Sequence, residues 1–214
     1  YKDLCAEMYA QGHSFFTYIS DSADSLASCC RLRNELAENT FSPTSGMTGV
    51  KTGSCNVITL NINRIIQDYY KCYNHKIWSK DVANQFKGWL IGILDRVYKY
   101  HITYKTMLYE WEEKKMFASS NGGYINIKDL YSTIGLNGLN EAAEFLGLKV
   151  SNNPEYFEFL QLILGTIKEQ NKIHSIHDKK RPFLFNSEVV PAEGLGGKNY
   201  RWDKEDGYKV PEDR

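Results

Sequence analysis

The chain has 214 residues, of which 42% are hydrophobic and 24% charged, and its 26 basic residues balance its 26 acidic ones. This is the composition of a globular protein with one sizeable core. The balanced charge gives no basic footprint for nucleic acid or for an anionic membrane surface, so direct nucleic-acid binding is not expected. No apolar run reaches the length of a membrane span, and no signal peptide is visible.

The first half of the chain predicts a helix, a long loop and a strand. Residues 1–12 have helical spacing of their apolar positions, and Gly12 suits a helix end. A short β-like run follows at 15–19, and then a polar loop at about 20–54, with one or two helical turns predicted at 32–39. Residues 55–62 alternate and are rich in β-branched side chains, which predicts a strand.

The second half alternates helices and strands. A long helix is predicted within 79–118, with Ser79 as its N-cap, and a strand and a small helix at Glu141–Leu146 follow. A further helix is predicted at 154–172, then a strand at Phe183–Val190 and a glycine-rich loop at about 191–197. This order predicts the α/β class.

The five cysteines favour a reducing, cytoplasmic location, because their number is odd and their spacing is not that of a secreted disulfide framework. No CxxC pair is present, and no metal site is predicted. His174 and His177 have the spacing of a metal-binding pair, but no cysteine or carboxylate pattern completes a site, so an ordinary helix end is favoured. The first residue, Tyr1, and the charged ending VPEDR suggest that both ends belong to something longer.

Two adjacent cysteines, Cys29 and Cys30, followed by Arg31, occupy the long loop. A loop of this length between buried strands is uncommon unless it is functional. Vicinal cysteines do not easily bridge each other, so the pair is either chemically active or a buried, inert pair.

Two glycine-containing segments are considered as binding sites for an anion, and one of them stays a candidate. The segment GMTGVKTGS at 46–54 is not a nucleotide P-loop, because Val50 precedes Lys51 and a strand follows rather than a helix. The loop at 191–197 follows a strand, and its glycines would let backbone N–H groups approach a phosphate closely. An ordinary turn is the equal alternative for this second segment.

Four blocks in order carry a family resemblance: SDSADSLASCCRLRNE, GVKTGSCNVITLNINRI, STIGLNGLNEAAEFLG and EVVPAEGLGGKNYRWDK. Together they resemble the catalytic barrel of the anaerobic (class III) ribonucleoside-triphosphate reductases, which are glycyl radical enzymes. The resemblance implies part of the ten-stranded α/β barrel of the ribonucleotide reductase and pyruvate formate-lyase superfamily, with a central finger loop. Residues 1–214 then form a single catalytic-barrel fragment that lacks the first half of the barrel and the C-terminal glycyl radical region.

The resemblance also implies roles for individual residues. Cys30 matches the finger-loop cysteine that becomes a thiyl radical and abstracts the ribose 3′ hydrogen, and Cys29 lies beside it. Asn56, near the entry of the following strand, matches an asparagine that assists the reductant chemistry. The substrate phosphates are expected at the loop residues Pro191, Ala192, Glu193, Gly194 and Leu195.

The implied cofactors and partners belong to the whole enzyme. They are a glycyl radical outside this fragment, a separate iron–sulfur and S-adenosylmethionine activating enzyme, ATP or dATP effectors, and formate or a thiol protein as reductant. A ribonucleoside triphosphate substrate, the rest of the catalytic subunit and a homodimer are also implied, and the fragment alone is expected to be inactive. The alternatives are a pyruvate formate-lyase-like acyltransferase and a non-catalytic nucleotide-binding fragment.

Overall fold

The computed structural model describes residues 2–13, 25–27, 33–35, 53–75, 77–189 and 193–211. The chain divides into two compact units, Tyr1–Val50 and Lys51–Arg214.

In the described residues of the first unit there are one helix and one pair of short strands. Helix α1 spans Lys2–Ala10, and Gly12 follows it with a φ of +86°, a conformation that glycine adopts readily at helix ends. Strands β1 (Ser25–Ala27) and β2 (Arg33–Glu35) pair in antiparallel fashion. Helical turns are predicted at 32–39. This prediction is wrong at residues 33–35, because their backbone pairs with β1 as strand β2.

The predicted β-like run at 15–19 and the cysteines Cys29 and Cys30 lie outside the described residues. In the sequence, the two cysteines fall between β1 and β2. Their chemical role therefore stays a prediction.

The second unit is built on a parallel sheet of three strands, in the order β3–β4–β5. The strands span Gly53–Asn61, Leu130–Asn137 and Leu184–Val189. A bulge interrupts the pairing of β3 with β4 between Ser54 and Asn56. The sheet confirms the predicted α/β class.

Helices connect and flank these strands. They are α2 (Ile62–Tyr73), α3 (Lys80–Glu113), α4 (Ala118–Asn121), α5 (Leu139–Phe145), α6 (Pro154–His174) and α7 (Glu193–Glu205). A 3-10 turn at Ile127–Asp129 leads into β4. None of the helices in the described part of the chain has the length and apolar character needed to span a bilayer.

Local sequence explains where the long helices begin. The Ser79 hydroxyl accepts a hydrogen bond from the backbone N–H of Val82, as predicted for the N-cap of α3. At α6, the Asn153 side chain accepts from the N–H of Tyr156 at 2.8 Å, and Pro154 occupies the first turn. The sequence reading missed α2, although Ile62, Ile66 and the buried tyrosines of that helix have helical spacing.

The larger of two hydrophobic clusters among the described residues lies between the helices and one face of the sheet. Helices α2, α3, α5 and α6 bury their apolar residues against four sheet residues, which are Leu60, Ile134, Leu136 and Phe185. Among the described residues, the opposite face of the sheet carries a polar row. Ser54 Oγ lies 2.6 Å from Thr133 Oγ1, which donates to Asn186 Oδ1 at 2.7 Å.

The strand order identifies the kind of α/β arrangement. The strands follow chain order, and the connecting helices share one core on one face. A doubly wound sheet reverses its strand order and has helices on both faces, whereas a barrel keeps both the order and the side. The second unit is therefore organised like an arc of an α/β barrel, and closure into ten strands stays a prediction.

Candidate functional site

A pocket of about 240 Å³ lies at the carboxyl ends of β3 and β4, beside α7. The two strands end there at Asn61 and Asn137, and α7 contributes Gly197, Asn199 and Asp203. Ligands of parallel α/β sheets bind preferentially at this edge, because loops and helix N-termini converge there. The pocket is therefore the leading candidate site within the second unit.

Tight turns bring the strand ends together. The side chain of Asn61 caps α2, because its Oδ1 accepts from the backbone N–H of Arg64 at 3.2 Å. Gly138 follows β4 with a φ of +77°, and a Cβ at this position would lie 3.0 Å from Asn61 Oδ1 and 3.2 Å from the backbone nitrogen of Asn63. Both the backbone conformation and the close approach favour glycine at position 138.

A buried carboxylate ties α7 to these strand ends. Both carboxylate oxygens of Asp203 lie 3.0 Å from Asn61 Nδ2, and Asn63 Nδ2 donates to Oδ2 at 3.1 Å. Arg64 Nε donates to Oδ1 at 2.9 Å, and its Nη2 pairs with Asp206 at 2.8 Å. Hydrogen bonds and an ion pair thus fix the third turn of α7 against the start of α2.

The segment after α7 is held against α2 as well. Gln67 Nε2 donates to the backbone oxygen of Lys209 at 2.8 Å, and its Oε1 accepts from the Lys209 N–H at 2.8 Å. Tyr208 donates to Asp68 at 2.6 Å, and this hydrogen bond, together with burial, raises the pKa of the phenol to about 12. Val210, just beyond, forms part of the pocket wall.

The first turns of α7 are unusually rich in glycine. A Cβ at Gly194, Gly196 or Gly197 would meet no described atom within 4 Å. Glycine weakens a helix interior by about 1 kcal/mol relative to alanine, so a helix keeps it there only for some other reason. Exposed backbone N–H groups at a helix N-terminus, free of side chains, suit close approach by a phosphate.

Further polar groups of the pocket are available to a ligand. Asn137 and Asn199 line it, and within the described residues no hydrogen bond engages either side chain. Both amides can donate and accept hydrogen bonds, which fits a ligand with hydroxyl or carbonyl groups.

The structure describes some of the predicted site residues. Glu193, Gly194 and Leu195 belong to the first turn of α7 rather than to a loop, so the glycine-rich segment is helical from position 193 onward. Further along α7, Asp203 bonds to residues at the start of α2, and these contacts explain why a helix forms despite the glycines. Pro191 and Ala192 lie outside the described residues, as do Cys29 and Cys30.

Asn56 lies beside the bulge of β3 and pairs in register with Ser132. It is nearer the amino end of the strand than the residues that line the pocket. The sequence reading missed Asn61, Asn137 and Asp203 as site residues. For the first two, the available signal was an asparagine at the carboxyl end of a predicted parallel strand.

A second polar cluster lies on the helix side of the sheet, where α3 passes the amino ends of the strands. Lys105 is fully buried and donates its Nζ to the backbone oxygen of Leu130, and burial lowers the pKa of its amine. His101, one turn earlier, is also fully buried, and burial lowers its pKa to about 4. Among the described residues, neither ring nitrogen has a well-formed hydrogen-bond partner, although the ring lies close to the backbone of Thr133.

His174, the first histidine of the predicted pair, makes structural contacts near the end of α6. His174 is the last residue of α6, stacks on Tyr98 with 4.0 Å between ring centroids, and lies 3.4 Å from Asp95. In the part of the chain that the structure describes, no group of three or more histidine, cysteine or carboxylate side chains is placed to hold a metal ion.

Solved structures of anaerobic ribonucleotide reductases share this fold. The enzyme from Thermotoga maritima with glycerol in its active site aligns with a TM-score of 0.62 at 24% identity, over 89% of this chain and 29% of that chain. The same enzyme with dATP bound in its specificity site aligns with a TM-score of 0.59 at 23% identity, over 72% of this chain and 25% of that chain. This chain thus spans less than a third of the length of these solved relatives.

A comparison with curated proteins found no match. A family model gives the assignment instead. The model described as anaerobic ribonucleoside-triphosphate reductase matches residues 1–213, which include both compact units and every element lining the pocket. Since this match extends over nearly the whole sequence, the chain belongs to the anaerobic ribonucleoside-triphosphate reductase family.

Proposed function

We propose that this chain is part of the catalytic barrel of an enzyme that reduces ribonucleoside triphosphates to 2′-deoxyribonucleoside triphosphates under anaerobic conditions. The observation that carries the proposal is the family match over residues 1–213. The one-sided arrangement of helices and the pocket at the carboxyl ends of the strands support it. Family membership also favours a reductase over a pyruvate formate-lyase-like acyltransferase or a non-catalytic fragment.

In this proposal the ribose lies near Cys30, whose thiyl radical takes the 3′ hydrogen of the substrate, so that an S–H bond forms as the C3′–H bond breaks. Cys29 lies beside it in the sequence, and Asn56 assists the reductant, which is formate or a thiol protein. Two electrons from that reductant, together with two protons, balance the loss of the 2′-hydroxyl as water. The S–H group of Cys30 then returns its hydrogen atom to C3′, which restores the thiyl radical. Exclusion of bulk water from the site protects the radical from side reactions.

The substrate triphosphate is assigned to Pro191, Ala192, Glu193, Gly194 and Leu195, together with the glycines that follow them. The pocket geometry supports this assignment, because Gly196 and Gly197, near the start of α7, line the pocket without a side chain to fill it. The asparagines at the strand ends would then face the nucleoside. Solved relatives have dATP, or dATP and CTP, bound, which supports nucleotides as the ligand class.

The remaining components lie outside these residues. A glycyl radical elsewhere in the whole protein supplies the oxidising equivalent that creates the thiyl radical, and a separate iron–sulfur and S-adenosylmethionine enzyme generates it. ATP or dATP as effectors and a homodimer complete the proposed assembly. On this view the residues of this chain alone do not turn over substrate.

The test is Cys30→Ala in the activated whole protein, assayed for reduction of a ribonucleoside triphosphate without oxygen. We expect loss of turnover with a nucleotide dissociation constant changed less than about threefold, because the thiol acts only in the chemical step. The matched control is Cys72→Ala, an exposed cysteine on α2, which should keep turnover. Reduction at a wild-type rate by the Cys30→Ala protein would overturn the proposal.

A further inference from the structure

The N-terminus of α2 already holds an anion, and that anion comes from α7. The helix begins directly after β3, so its positive end faces the carboxyl edge of the sheet. The Asp203 carboxylate sits there, with donors from Asn61, Asn63 and Arg64 at 2.9–3.1 Å. A second anion, such as a substrate phosphate, would be repelled from this position.

The Asp203 carboxylate is buried, so it needs a full set of hydrogen-bond donors around it. The side chain of Asp203 is 3% exposed, whereas that of its partner Arg64 is 32% exposed. A buried carboxylate is stable only with good geometry and a full set of donors, so its position in the structure is closely defined. Asn63, which is itself buried, also donates to the backbone oxygen of Lys209 at 3.2 Å.

One face of α7 carries both Asp203 and a pocket-lining glycine, Gly196. Gly196, Asn199 and Asp203 follow one another at helical spacing, and all three line the pocket. A helix is stiff over two turns, so fixing Asp203 also fixes the glycine-rich start of α7 relative to the ends of β3 and β4.

We propose that Asp203 is a positioning residue that holds the glycine-rich start of α7 where it binds the substrate triphosphate. The inference rests on the proposed function, because it assigns the triphosphate to that helix end. Asp203 itself makes no contact with the phosphates. It acts indirectly, by holding α7 in position against the start of α2.

The experiment compares Asp203→Asn with Asp206→Asn in the whole protein. Asp206 pairs with the same Arg64, but its side chain is 56% exposed, and among the described residues it does not bond to Asn61 or Asn63. We expect Asp203→Asn to raise the KM and dissociation constant of a ribonucleoside triphosphate roughly tenfold or more, since small misplacements of binding groups cost that much. At saturating substrate, kcat should change little, and Asp206→Asn should change KM less than about twofold.

A purely structural role gives a different result. In that case Asp203→Asn lowers the melting temperature, and the folded protein keeps the wild-type KM, which overturns the inference. If Asp203→Asn does not fold, the decision rests on Arg64→Met. This change removes the Nε–H that donates to Asp203, at a residue that is not among those lining the pocket. A raised KM in this variant supports the inference, and an unchanged one overturns it.

The two proposals fail in distinguishable ways. If the wild-type protein binds no ribonucleoside triphosphate, the proposed function fails and the inference fails with it. If the wild-type protein binds the nucleotide and the variants bind it equally well, only the positioning role of Asp203 is wrong.

Discussion

His101 is a buried imidazole, and its burial makes the stability of the fold depend on pH. Its pKa is about 4 in the folded chain and about 6.5 when exposed to water. The unfolded state therefore binds the proton more tightly between these two values. The stability contributed by neutral His101 is fully present above pH 6.5 and is lost as the pH falls toward 4.

We expect His101→Leu to remove part of this pH dependence. Between pH 7 and pH 5 the wild-type free energy of unfolding should fall by about 2 kcal/mol more than that of the variant. Urea denaturation at both pH values measures the difference. His177→Gln, which changes an exposed histidine, is the control and should behave like wild type. Equal losses in wild type and His101→Leu would mean that His101 is not held neutral.

At the scale of elements, α7 is a helix whose first turns are rich in glycine, although glycine disfavours the helical conformation. Gly197→Ala adds a methyl group that meets no described atom, so the helix should gain up to about 1 kcal/mol of stability. The same methyl group lies in the pocket and should weaken binding of a ribonucleoside triphosphate at least several-fold. Thermal unfolding and nucleotide titration of the whole protein measure the two effects.

Gly165→Ala in α6 is the matched control for this prediction. Its added methyl group also meets no described atom, and Gly165 is not among the residues that line the pocket. This variant should gain similar stability and keep its nucleotide affinity. If Gly197→Ala also keeps its affinity, the start of α7 does not approach the ligand closely.

Sequence patterns predicted the elements whose residues repeat regularly. The apolar spacing of α3 and α6 and the alternation of β3 were sufficient, because burial on one face imposes that spacing. The helical state of Gly194 was not predictable locally, since glycine disfavours helices and α7 is held by distant contacts through Asp203. The pocket was only partly predictable, because Asn61 and Asp203 are 142 positions apart in the chain.

At the scale of the whole molecule, the three-stranded sheet has two outer edges. Strand β4 pairs on both sides, while β3 and β5 each pair on one side among the described residues. An unpaired strand edge exchanges its amide protons quickly, whereas a closed barrel has no such edge. The polar row of Ser54, Thr133 and Asn186 is consistent with a barrel interior, because parallel sheets are seldom left uncovered.

If the sheet is an arc of a closed barrel, β3 and β5 should be protected from hydrogen exchange as strongly as β4. Amide exchange of the whole protein, followed by mass spectrometry of peptides from each strand, measures this. Exchange in β3 or β5 faster than in β4 by about a hundredfold or more would argue against closure.

The bulge in β3, at Cys55, sets the register of the amino end of this strand against β4. From Val57 onward β3 keeps a regular register with β4, and the extra residue is absorbed between Ser54 and Asn56. Deleting Cys55 would leave the pocket end of β3 in place and move Gly53 and Ser54 along the strand by about 3.3 Å. A single residue at this point therefore sets where the amino end of β3 meets β4.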